Sequence, residues 1–166
     1  MAALSAGVKA PEISLPLLDG GAKFSLSQAQ KQGPVIAAFF KVSCPVCQFS
    51  FPYLQRIFTA YGNKKVTFVG VSQDAQGDTQ RFARQHGVSF PIALDDLKRY
   101  PASNAYGLTN VPSFFWIAPD GGIRFSSVGW SRADFEKLNQ EIAAASGAPA
   151  KPIFNPGEDV PEFKAG

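Results

Sequence analysis

Val35-Ile-Ala-Ala-Phe-Phe-Lys-Val-Ser-Cys-Pro-Val-Cys-Gln48 decides how this chain is read. Its first half, Val35 to Phe40, is apolar without alternation, the pattern of a short strand buried on both faces of a partly parallel sheet. Its second half holds Cys44 and Cys47, the only cysteines among the 166 residues. From there Val46, Phe49, Tyr53, Leu54, Ile57, Phe58 and Tyr61 recur at helical spacing, which predicts a helix over about 44–61 that stops at Gly62-Asn63. Pro52 falls inside it, removing one hydrogen bond and bending the axis. A strand that runs into a helix whose first turn carries two thiols is a redox arrangement. The spacing lets the sulfurs close a small ring, and a helix start offers N–H groups and a positive dipole end that favour thiolate over thiol.

Outward from that stretch, residues 8–20 read as an extended arm that ends in the turn Asp19-Gly-Gly21. Its two prolines place it at an edge or as a covering strand. Phe24-Ser-Leu-Ser27 begins a short turn or helix, punctuated by Gly33-Pro34. Val66 to Val71 is a second buried strand, and a helix through Arg81, Phe82 and Gln85 stops at Gly87. Phe90 to Leu94 is a short strand whose Pro91, near its start, suits an edge or a strand-entry position, and 98–106 reads as a short helix broken at Gly107. Ser113–Ala118 and Ile123–Val128 flank Pro119-Asp-Gly-Gly122, a strong hairpin signal. Ser131 is the expected N-cap of a last helix through Phe135, Leu138 and Ile142. The order predicts an α/β fold: a mixed central sheet, helices on both faces, and a C-terminal β-hairpin plus helix. Residues 1–146 form the domain. Residues 147–166, with four prolines and no periodicity, form a tail draped over it or partly disordered, with Ile153, Phe154 and Phe163 as anchors.

Composition narrows the function. The net charge of +3 is spread along the chain and its longest basic clusters are pairs, Lys64-Lys65 and Lys98-Arg99, which sit on solvated faces; nucleic-acid and membrane partners are therefore not expected. Fifteen phenylalanines predict an aromatic-heavy core. Two cysteines make no disulfide framework, so packing must supply the stability. Met1 to Gly7 shows no signal-peptide pattern and no transmembrane run occurs, which favours a cytoplasmic protein, with a periplasmic domain whose leader has been removed as the alternative.

The chain resembles the thioredoxin-fold proteins, in particular the redoxin branch of thiol:disulfide oxidoreductases and peroxiredoxin-like proteins. The likeness covers about 8–145. It rests on Ala10-Pro11, Leu18-Asp-Gly20, Cys44-Pro-Val-Cys47, Val69-Gly-Val-Ser-Gln-Asp74, Val111-Pro112 and Pro119-Asp-Gly121, with Pro52 where the family bends its active-site helix. The resemblance implies a thioredoxin-like fold. It makes Pro112 a cis-proline beside the pair, where the alternative is an ordinary trans proline, and Val111 the residue whose backbone meets an extended substrate segment. Pro45 and Val46, between the sulfurs, join them as substrate-contacting positions. Three departures stand out: Ala38 where thioredoxins proper carry a buried acid, Ser43 where a tryptophan is usual, and Pro-Val rather than Gly-Pro between the cysteines.

Cys44, nearer the helix start, is the expected nucleophile, and Cys47, one turn in, the resolving thiol. Lys41 either lowers the pKa of Cys44 or is a solvated charge. His86 reads as a helix C-terminal residue held as imidazolium by the dipole, Asp74 as a loop or capping residue, and Trp116 and Trp130 as core or rim. The function read from these residues is thiol:disulfide exchange with protein disulfides and dithiols, fed by an unidentified electron donor. No cofactor or metal is expected, and the chain is read as a monomer or weak dimer. The alternative is a thiol peroxidase. Against it stand Lys41 in place of the peroxiredoxin threonine and Pro112 in place of the arginine, which leave the peroxide without its donors. Copper delivery would need a histidine near the pair, and a merely structural ring this small gains little stability.

Overall fold

The computed structural model describes residues 3–62 and 65–166. Asn63 and Lys64, and with them part of the expected helix stop and basic pair, lie outside the described residues, as do Met1 and Ala2. In chain order the elements are β1 (Ser14–Pro16), β2 (Lys23–Ser25), α1 (Leu26–Ala29), β3 (Val35–Phe40), α2 (Pro45–Tyr61), β4 (Thr67–Ser72) and α3 (Gln76–Gln85). There follow β5 (Ile92–Leu94), α4 (Pro101–Ala105), β6 (Ser113–Ile117), β7 (Ile123–Val128), β8 (Trp130–Ser131), α5 (Arg132–Ala145) and β9 (Phe163–Lys164).

The strand that opened the reading is the centre of the molecule. The five-stranded sheet runs β5-β4-β3-β6-β7, with β3, β4 and β5 parallel and β6 and β7 antiparallel. Every residue of β3 is buried, and its side chains alternate between two cores. Ile36, Ala38 and Phe40 face the cluster that includes α2, α3 and α5; Val35, Ala37 and Phe39 face the one that includes the N-terminal arm, α1 and α4. The fold is thus mixed α/β and thioredoxin-like, with helices on both faces and a terminal hairpin plus helix. β5 is an edge strand, and Pro91 stands just before its first residue, at strand entry. The arm is not merely extended: β1 and β2 pair antiparallel, and the buried Tyr106 hydroxyl donates to the Pro11 carbonyl at 2.7 Å.

Two boundaries moved for local reasons. The helix expected over 98–106 begins only at Pro101, because the residue before a proline avoids helical dihedrals, and Tyr100 takes the left-handed region at φ 45°. The buried face of α2 is also rotated from the expected stripe. Cys47, Ser50, Phe51, Leu54 and Ile57 point inward, whereas Val46, Phe49 and Phe58 are half-buried. Pro52 lies inside α2 and lacks the N–H its turn would use.

Phe51 sits at the middle of the larger core, with ring centroids 4.5 Å from Phe40, 5.7 Å from Phe82 and 5.9 Å from Phe90. Replacing it with alanine is expected to cost about 3–5 kcal/mol in urea unfolding, the range for a truncated core aromatic.

The tail packs on this same core. Ile153 and Val160 are buried and Phe154 is half-buried against Tyr53, while Phe163 is 64% exposed. Phe163 therefore does not anchor, because β9 pairs only at an edge and nothing covers its side chains. The clamp is polar. Arg56 donates to both Glu158 carboxylate oxygens at 2.7 Å and to the Ile153 carbonyl at 2.9 Å, with its guanidinium over the Tyr53 ring. Those bonds from Arg56 hold the Glu158 carboxyl down, from 4.5 to about 2. A depressed carboxylate pKa contributes stability above the unfolded value and loses it as pH falls through the folded one. Residues 153–158 should therefore stay protected from amide exchange above pH 4.5 and open progressively toward pH 2; Glu158→Gln should open them at neutral pH.

Candidate active site

At the end of β3 the chain leaves the sheet through Lys41-Val-Ser43 and enters α2, with Cys44 as the N-cap. Pro45 takes the first helical position, where its missing N–H is one the helix leaves unpaired anyway. The Cys47 N–H donates to the Cys44 sulfur at 3.2 Å, so the thiol does the work of a capping side chain. The connecting loop is pinned from two sides. The Val42 N–H donates to the Asp74 carboxylate at 2.8 Å, and the Gln48 side chain donates to the Val42 carbonyl at 2.8 Å. Asp74 thus does not cap α3, whose N-cap position, Ala75, makes no side-chain bond. It reaches across to the loop that carries the thiols.

Both cysteines are free thiols, and their surroundings differ. Cys44 is half-buried and its Sγ donates to the Val111 carbonyl at 3.5 Å. Cys47 is 0% exposed in the core cluster that also holds Ala38. Burial pushes the Cys47 thiol far above its ordinary pKa. The hydrogen bond with Cys44 and the negative charges of Cys44 and Asp74 add to that, and only the Lys41 backbone N–H pulls it down. The Val111–Pro112 peptide is cis, as the resemblance implied, with Pro112 buried and Val111 half-buried. Pro45 is exposed and Val46 half-buried on the first turn of α2. The structure thus brings Cys44, Cys47 and Val111 into contact, with Pro45, Val46 and Pro112 next to them along the chain.

The other candidates sort simply. Lys41 is exposed, and Trp116 and Trp130 belong to the core. His86 ends α3 with its ring 4.6 Å from Phe82, and burial lowers its pKa, contrary to the expected imidazolium. Among the described residues no group of three or more His, Cys, Asp or Glu side chains is arranged to hold a metal, and no helix is long and apolar enough to cross a membrane. Two residues on the elements around the pair were not singled out from the sequence: Lys164, whose ammonium lies 5.2 Å from the Phe49 ring, and Asn110, which binds Gly166 beside Val111. Their partners lie far along the chain, so no local pattern points to them.

The sequence pattern of the AhpC/TSA family matches residues 6–126. This chain belongs to that family. Among curated proteins it is similar to the thiol-disulfide oxidoreductase ResA of Bacillus anthracis, at 27% identity over 124 residues, which is 74% of this chain and 69% of the relative. Among solved structures it is similar to a protein of Chlorobium tepidum provisionally assigned as the thiol:disulfide interchange protein DsbE. That match has a TM-score of 0.74 and 32% identity, and covers 87% of this chain and 99% of the other. A thiol:disulfide interchange protein of the thioredoxin family from Chlorobium tepidum TLS is similar at a TM-score of 0.68 and 26% identity, over 89% and 100% of the two chains. All three of these proteins are thiol:disulfide oxidoreductases or interchange proteins by name.

The asymmetry of the two sulfurs has a direct readout. Brief treatment of the native reduced protein with iodoacetamide near neutral pH should label Cys44 and leave Cys47 unmodified until denaturant is added. Equal labelling in the peptide mass map would contradict the burial described above.

Proposed function

We propose that this chain is a thiol:disulfide oxidoreductase that uses Cys44 and Cys47 to exchange electrons with disulfides in proteins. The observation that carries this is the placement of the sulfurs. One lies at a helix mouth with an N–H donor aimed at it and a substrate-side carbonyl beside it; the other is buried one turn behind. In the reducing direction the Cys44 thiolate attacks one sulfur of the substrate disulfide. A mixed disulfide forms, and the substrate's other sulfur leaves as a thiolate that takes up a proton. Cys47, having lost its proton, then attacks Cys44. The Cys44–Cys47 bond forms, the mixed disulfide breaks, and the second substrate thiolate departs. Two electrons have passed to the substrate, and an external dithiol donor must return them. Val111, with the cis Pro112 after it, and the first-turn residues Pro45 and Val46 supply the surface on which the substrate chain lies.

The residues that flank the pair weigh against a peroxidase. Lys41 and Pro112 stand where peroxide cleavage would need a hydroxyl and a guanidinium donor, and the chain has neither at those positions. Measuring the potential of the pair separates a reducing from an oxidising role and thereby suggests the compartment. Values near about −270 mV serve reduction in the cytoplasm, and values toward about −120 mV serve oxidation or exchange in the periplasm.

The decisive experiment is dithiothreitol-coupled insulin reduction. The parent protein should accelerate it, Cys44→Ser should abolish it, and Cys47→Ser should accumulate a mixed disulfide visible by mass. Hydrogen peroxide should be consumed no faster than by a free thiol; rapid turnover would transfer the chain to the peroxidase class.

A further inference from the structure

Beyond Val160 the tail crosses toward the thiol pair. Up to that point it is firmly held, since Val160 is buried and the Trp130 indole N–H donates to the Pro161 carbonyl at 2.7 Å. From there β9 runs antiparallel to β8, with Phe163 opposite Ser131 and Lys164 opposite Trp130. The Lys164 ammonium lies 5.2 Å from the centre of the Phe49 ring, on the helix that carries both cysteines. Gly166 reaches the loop on the other side of the pair, where its carbonyl accepts from the Asn110 side-chain amide at 3.0 Å. A Cβ placed on Gly166 would stand 2.7 Å from the Val111 carbonyl oxygen, the same oxygen that accepts the Cys44 thiol at 3.5 Å. Residues 163–166 therefore bridge the two elements that carry the site.

The fit depends on glycine. Gly129 has φ +76°, and a Cβ on it would lie 2.6 Å from the Lys164 carbonyl and 2.8 Å from the Gly166 nitrogen. The strap lies flat on that bare backbone, an approach no other residue would allow. Its hold is nevertheless weak. Residues 163–166 are all exposed, and the two-residue ladder, one side-chain amide and one cation over a ring that hold them are contacts with which water competes. A segment anchored through Glu162, whose carbonyl accepts from the Arg132 N–H at 3.0 Å, and loosely held beyond can lift without unfolding the domain.

We infer that residues 163–166 occupy the strip beside Val111 on which a disulfide-bearing polypeptide must lie, so that the substrate is an extended segment which displaces this strap. The inference rests on the thiol-exchange reading of Cys44. An incoming extended segment that pairs with the Val111 backbone would offset the contacts to Trp130, Ser131 and Asn110 that the strap gives up. Small disulfides reach the half-exposed Cys44 past the strap; polypeptide disulfides reach it only when the strap has lifted. A strap closed about nine-tenths of the time would weaken apparent polypeptide affinity about tenfold.

The test uses the full chain carrying Lys164→Ala together with Gly166→Ala, whose added methyl must push the strap off the Val111 carbonyl. Reduction of insulin should rise about threefold to tenfold through a lower KM, while reduction of bis(2-hydroxyethyl) disulfide stays within about twofold of the parent. No change with insulin, or equal change with both substrates, overturns the proposal. A second measurement leaves the strap sequence intact: the mixed disulfide of Cys47→Ser with an insulin chain should lose amide-exchange protection at 163–166, and retained protection is equally fatal. Cys44→Ser run alongside separates the two readings. If it still reduces insulin, the thiol reading itself fails. If it is inactive while the strap variant matches the parent, only the strap falls.

Discussion

The difference in burial between two sulfurs three residues apart is the constraint on which the site depends, and it is inherited from β3. That strand is buried on both faces, so its end has a fixed height in the sheet and the chain must emerge there. The break that follows is too short to wander, and two hydrogen bonds to Val42, from opposite flanks, remove the freedom that is left. α2 therefore starts at one place and in one rotation. With that rotation set by Phe51, Leu54 and Ile57 in the core, Cys47 must point inward with them, and Cys44, outside the first turn, must point toward Val111. Burial of these aliphatic and aromatic side chains, at roughly 1.5–3 kcal/mol each, is what enforces the asymmetry. No special contact at the sulfurs is needed to create it.

The aromatic wealth of the chain serves the same end. Phe40, Phe51 and Phe82 lie ring against ring where α2 and α3 cover the sheet, and Trp130, Phe135 and Phe114 continue the layer under α5. Phe49 is the outermost member, edge-on to Trp130 at 4.9 Å. The helix that carries the thiols thus rests on large rigid rings, which lose little entropy on ordering and tolerate little displacement. The tail uses this layer as well: Phe154 sits edge-on to Tyr53 and Trp130, and Lys164 finds Phe49.

What could be read from the sequence and what could not divide by range. β3, the helix bearing the cysteines, the hairpin around Pro119-Asp-Gly-Gly122 and the Ser131 cap follow from periodicity and turn chemistry, which act over a few residues. The cis Val111–Pro112 peptide came from resemblance, since no local rule demands it. The reach of Asp74 to Val42, the Arg56–Glu158 clamp and the seat of Gly166 beside Val111 join residues 32, 102 and about 55 positions apart along the chain. Only the folded topology brings such partners together. His86 shows the same limit from the other side: its position at a helix end was legible, but the Phe82 ring and the burial that oppose its charge were not.

The absence of an acid at Ala38 raises the question of how Cys47 gives up its proton. The causes that raise its pKa answer part of it. Burial is the largest and stays constant, but the next is the hydrogen bond with Cys44, and the negative charge of Cys44 adds to it. Once Cys44 is tied into a mixed disulfide, it carries no charge and no thiol proton. Both contributions vanish while the Lys41 backbone N–H, which favours the thiolate, remains in place. The first attack thereby makes the second easier. In the exchange proposed for the pair, Cys47 would stay protonated until Cys44 is covalently tied to substrate, when the part of its upward shift that comes from Cys44 is lost. With the apolar Ala38 in the core beside it, Asp74, pinned to Val42, is the carboxylate whose charge is felt at the buried sulfur.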